Sequence, residues 1–256
     1  MPTAYDSPAD EHADLIQWAL SEGIEIDAVA PIQFPGRGLG MVATRTIEEN
    51  ENILKVPVPL MLTIDSIPPS FVKKFPEGAP THGILAAYFI HGDSSLLRKW
   101  DAWRKLWPQR HDFEDSMPIL WPEHLRAFNS VSSDNTHGSC AILPPSASGL
   151  WNSVSKKSVD ADYETKYQNL LSQQQTRLRH SWQNVINVFP DTDWDVFVYH
   201  WLIVGTRSFY YVTPGKEDPE DWADALGLIP VADYFNHSND PLLNIDLIID
   251  RGKQVH

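Results

Sequence analysis

Three short stretches of the chain carry residue types that could do chemistry. Gly36-Arg37-Gly38-Leu39-Gly40 places glycines at alternate positions, which lets backbone amides and carbonyls approach a ligand with no Cβ in the way. The same residues suit a bare turn. They lack the third-glycine spacing of a dinucleotide-binding fingerprint and the Lys-Ser/Thr of a P-loop. Thr206-Arg207-Ser208-Phe209 sets a lone arginine in apolar, aromatic surroundings. Such an arginine either pairs with a nearby aspartate or fixes the backbone of a binding pocket. The third stretch, Ile229 to Ser238, is an apolar run that ends in Asp233-Tyr234-Phe235-Asn236-His237-Ser238. Polar groups at the end of a buried run are a site candidate, whereas Asn236 or Ser238 alone would serve as a turn cap. Neither an HExxH helix nor a GxSxG elbow occurs, which disfavours a zinc protease and a serine hydrolase.

The elements around these stretches follow from local patterning. Ser7, Pro8 and Asp10 start a helix whose apolar face is Leu15, Ile16, Ala19 and Leu20, with Gly23 as its stop. Short strand-like runs follow, with strands expected at 38–44, 52–56 and 60–64, and Pro57 and Pro59 arguing against a long central strand. From about Asp65 to Phe189 the pattern is mostly helical. Ser94 and Ser95 cap an expected helix carrying Leu96, Trp100, Trp103 and Trp107 toward the core, stopped by Pro108. Residues 130–158 read as an irregular loop holding Cys140. A long helical face runs from Tyr163 through Leu178 and Trp182 to Phe189, and a second helix begins near Asp193 with Phe197, Val198, Trp201 and Leu202 inward. Strand-like runs return at 227–232 and 243–250.

Composition bounds the function. The 256 residues include 20 Lys+Arg against 34 Asp+Glu, a net charge of −14, which disfavours a general nucleic-acid binder because phosphate contact needs a basic face. One cysteine forms neither an intrachain disulfide nor a cysteine-rich zinc site. The first ten residues carry no positive charge and no apolar core, so the chain is read as mature from Met1, without a leader. The most apolar stretch, 196–205, is shorter than the roughly 20 residues that cross a bilayer, and it contains His200.

Taken in order, Gly36-Arg37-Gly38-Leu39, Arg207-Ser208-Phe209 and Asp233-Tyr234-Phe235-Asn236-His237-Ser238 resemble the SET-domain methyltransferases of the Rubisco large-subunit lysine methyltransferase class. Val42-Ala43-Thr44-Arg45 and Ile53-Leu54-Lys55-Val56-Pro57 are similar to that family's first SET segment, and the likeness runs from about Glu11 to Asp250. The resemblance implies an α+β fold of small SET-type sheets interrupted by a mostly α-helical insertion. Its parts would be 1–65, the N-terminal helix and first SET segment; 66–190, the insertion; and 191–256, the second SET segment. It also implies transfer of a methyl group from S-adenosylmethionine to a side-chain nitrogen of a protein substrate, most often lysine and in some members histidine. By the same resemblance, Arg37, Gly38, Leu39, Asn236 and His237 would contact the cofactor and Arg207 would support that pocket. Ser208, Tyr210, Asp233 and Tyr234 would border the substrate channel. No metal, nucleic acid or membrane is expected, and the cytoplasm or nucleus would be the location. The family's catalytic tyrosine stands in a Tyr-Gly pair, and no tyrosine of this sequence precedes a glycine. The catalytic residue is therefore unassigned, and a C-terminally incomplete SET domain that binds cofactor weakly and turns over poorly is expected. The alternatives are a non-catalytic SET scaffold that holds a protein partner, and a helical scaffold in which all three motifs are structural.

Overall fold

The computed structural model describes residues 10–34, 38–122 and 170–236. Helix α1, Asp10–Ser21, buries Leu15 and Ala19 one turn apart. Gly23, at φ +85°, ends it, with Ile24 N–H donating to Ala19 C=O at 2.9 Å and Gly23 N–H to Leu20 C=O at 3.1 Å. Leu20, expected inward, is 54% exposed, about 100° round the helix from the buried Ala19. The Ser7 and Pro8 start signals lie outside the described residues.

Two antiparallel ribbons follow. Strand β1, Glu25–Ile26, pairs with β4, Leu54–Lys55; β2, Val29–Phe34, pairs with β3, Gly38–Ala43, in a register that sets Phe34 opposite Gly38. Pro31 lies inside β2, which a two-stranded ribbon tolerates because every second N–H faces away from the partner. The strand expected at 60–64 shrinks to β5, Leu62–Thr63, since Pro59 turns Val58–Leu60 into one 3₁₀ turn.

Helices α2 (Pro69–Val72), α3 (Thr81–His91), α4 (Ser94–Leu97), α5 (Asp101–Arg104) and α6 (Arg110–Ser116) come next. The tryptophan stripe is core as expected, with Trp100, Trp103 and Trp107 all buried. Its helix is not continuous. A 3₁₀ turn, Arg98–Trp100, separates α4 from α5, Asp93 rather than a serine accepts the capping bond from Ser95 N–H, and Leu97 is buried in place of the exposed Leu96. Residues 130–158 with Cys140, Tyr163 and Tyr167, and the run 243–250 lie outside the described residues.

Helix α7, Leu170–Val188, and α8, Trp194–Arg207, complete the helical layer. Asp193 caps α8 by accepting from Val196 N–H at 3.0 Å. Helix α3 is buried on almost every side between α7 and α8. It approaches α7 at Gly83, where a Cβ would stand 2.9 Å from Ser181 Cβ. After α8 the chain forms β6, Ser208–Tyr210, and β7, Leu226–Leu228. The sheet order is β5-β7-β6, all antiparallel, so the strand before the helical layer pairs with one after it. The main core runs from Leu15 through Trp100 and Trp201 to Tyr234, and a smaller cluster of Met61, Tyr211, Ile229 and Ala232 packs against Phe209 of β6.

Candidate functional site: the β3 edge, the 231–236 turn and a buried ion pair

The third sequence motif begins where β7 ends. Ile229, Pro230 and Val231 are buried, and Val231 takes φ +73°, ψ −38°. A β-branched residue rarely adopts a positive φ, a state that costs on the order of 1–3 kcal/mol and persists only where surrounding contacts enforce it. The turn at Val231 feeds a single 3₁₀ turn, Ala232–Tyr234, closed by Tyr234 N–H donating to Val231 C=O at 3.1 Å. Asn236 then reaches the first motif. Its Nδ2 donates to the Leu39 carbonyl at 3.3 Å, across 197 positions of sequence. At Gly40 a Cβ would lie 2.4 Å from Asn236 Nδ2 and 2.9 Å from the Phe34 ring, so only glycine admits both neighbours.

Arg207 and Asp233 meet behind this contact. Arg207 is the last residue of α8, and its Nη1 donates to Asp233 Oδ2 at 2.5 Å. The same oxygen accepts the indole N–H of Trp103 at 2.9 Å. The Arg207 and Asp233 side chains are 16% and 1% exposed. Burial pushes the Asp233 carboxyl up, against the pull of the Arg207 charge and the Trp103 donor. Asp233 Oδ1 and Arg207 Nε are buried with no hydrogen-bond partner, so the pair rests on few bonds. Of the two sequence readings of Arg207, the geometry realises the ion pair.

The remaining candidates separate. Ser208 sits on β6 opposite Leu228 and, with Tyr210, lines a cleft of about 290 Å³ bordered by His82, Trp201, Thr206 and Trp222. Tyr210 is 57% exposed at its mouth. Tyr234 turns instead into the core, where its hydroxyl stands 3.1 Å from His12 Nδ1 of α1, and burial raises its pKa. Gly38 opens β3 opposite Phe34. Arg37 and His237 lie outside the described residues. Sequence reasoning missed Trp103 and His12 as partners of the site. For Trp103 a signal existed, since a buried indole N–H requires an acceptor.

No protein-family model matches the chain. It is 21% identical over 242 residues to SET domain-containing protein 4 of Mus musculus and 20% identical to that of Homo sapiens, each alignment covering 91% of this chain and 48% of the relative. The chain thus spans about half the length of the curated relatives it matches. A crystal structure described as the SET domain of LSMT bound to MeLysine and AdoHcy superposes with a TM-score of 0.52 at 21% identity, covering 91% of this chain and 45% of that one. The fold is that of a SET domain. The expected α+β architecture of small antiparallel sheets and helices is therefore observed. Within this SET fold the candidate site comprises, among the described residues, the β3 edge, the 231–236 turn and the Arg207–Asp233 ion pair.

Proposed function

We propose that this SET domain binds S-adenosylmethionine along Leu39, Gly40 and Asn236 and serves methyl transfer to a side-chain nitrogen of a protein, lysine first. The contact of Asn236 with the Leu39 carbonyl beside a glycine with no room for a Cβ carries this reading. It joins two motifs that composition and spacing left apart, and it leaves backbone polar groups at an open strand edge. The solved SET structure that matches this fold is described as bound to AdoHcy and MeLysine, which supports the same ligand class here.

S-adenosylmethionine supplies a sulfonium-bound methyl group already activated for transfer. The work left to this chain is positional: to align a neutral amine, exclude water and tolerate positive charge developing on nitrogen. Leu39, Gly40 and Asn236 fit the holding role. Arg37 and His237 extend it on the sequence resemblance, and Arg207 with Asp233 steadies the turn from behind. The cleft bordered by Ser208, Tyr210 and Thr206 is suited to the incoming side chain. Residues 66–190 are assigned as the insertion between SET segments 1–65 and 191–256.

The alternative is a SET scaffold that holds a protein without turnover. Incubation with S-[methyl-³H]adenosylmethionine and lysine- or histidine-bearing proteins separates the two. Methylation confined to lysine, lost in Asn236→Ala, supports the enzyme. Cofactor binding with no transfer to any protein supports the scaffold.

A further inference from the structure

We infer that Trp103 is a positioning residue for the cofactor segment, holding Asn236 against β3 through Asp233. The inference rests on the reading of Leu39, Gly40 and Asn236 as the cofactor edge. Trp103 belongs to none of the three motifs. It lies in α5, 1% exposed, within the helical stretch between the two strand regions. Its one polar atom donates to Asp233 Oδ2 at 2.9 Å.

The consequence follows from how few bonds define the turn. Asp233 is the middle residue of the 3₁₀ turn Ala232–Tyr234. Its carboxylate is held by two side-chain donors, Arg207 Nη1 and Trp103 Nε1, both on Oδ2, while Oδ1 is buried with no partner. The turn starts at a strained Val231, whose φ of +73° would relax if the side chain that anchors the turn were released. Three residues beyond Asp233, Asn236 makes its bond to Leu39. Arg207 approaches from the end of α8 and Trp103 from α5, so two helices of different sequence segments clamp one carboxylate. Loss of a charge-assisted bond to a buried group is expected to shift an equilibrium by about 10-fold or more.

The test compares Trp103→Phe, which keeps a ring and removes the donor, and Asp233→Asn, which keeps the shape and removes the charge, with the unmodified 256-residue protein. Hydrogen–deuterium exchange without ligand is read first. The inference expects faster exchange at 231–236 and at 39–41 in both variants, with α3 and α7 unchanged. S-adenosylhomocysteine affinity is read second. The expected loss is about 10-fold in Trp103→Phe and is absent when Asn236→Ala is already present, because the tryptophan acts through that amide. Selective exchange in a protein that binds no S-adenosylhomocysteine would sustain the positioning role and sink the cofactor reading. Unchanged exchange at 231–236, exchange raised uniformly over the core, or affinity losses that add with Asn236→Ala would overturn the inference. If Trp103→Phe does not fold, Asp233→Asn decides on the same readouts.

Discussion

The His82 ring lies flat against Trp201, with centroids 4.3 Å apart, and its Nε2 stands 2.6 Å from the Trp201 carbonyl. Burial in that slot lowers its pKa from 6.5 to about 4, so it is neutral in the folded protein near pH 7. The unfolded chain takes up this proton first as pH falls. Stability is therefore full above about pH 6.5 and declines toward pH 4, by roughly 3 kcal/mol from this group. Urea unfolding across that range checks the slope; His82→Gln, which keeps a donor and cannot titrate, is expected to flatten it. Asp233 gives a second prediction at this scale. Asp233→Ala leaves the Arg207 charge without its carboxylate in a site where its side chain is 16% exposed, and about 3 kcal/mol of stability is expected to go. A denaturation midpoint equal to that of the unmodified protein would show that the pair is solvated rather than buried.

At the scale of elements, the contact of α3 with α7 decides between two effects of opposite sign. Gly83→Ala gains about 1 kcal/mol of intrinsic helix propensity. It also drives a Cβ to 2.9 Å from Ser181 Cβ and 3.2 Å from Ser181 Cα, which only a shift of whole helices relieves, at about 1–3 kcal/mol. Net destabilisation in a melting experiment is expected, and a stabilised Gly83→Ala would mean that α3 and α7 do not pack this closely. Asp193→Ala removes the cap of α8 and is expected to cost about 1 kcal/mol. The start of α8 near Asp193 was legible in the sequence, as were its inward face, the buried Leu15 and Ala19 of α1 and most of β3, because each depends on residues within one or two turns. The break between α4 and α5 was not, since it is set by which of Leu96 and Leu97 can reach a distant core. Nor was β6, a three-residue strand that exists only because β7 pairs with it. Arg207 was readable as an ion-pair candidate, but its partner and the indole beside it came from contacts 26 and 130 positions apart.

Over the whole molecule, strand β7 pairs with β5 from before the helical layer and with β6 from after it, then releases the chain into the 231–236 turn. That path is what brings Asn236 back to β3. None of the described helices is long and apolar enough to cross a membrane. Whether the Leu39, Gly40 and Asn236 edge holds the methyl donor is measured directly by equilibrium dialysis of the 256-residue protein against labelled S-adenosylmethionine. Saturable binding of one molecule per chain, weakened at least about 10-fold by Asn236→Ala with the unfolding midpoint unchanged, is the predicted result. No saturable binding, or equal binding by the Asn236→Ala protein, would contradict it.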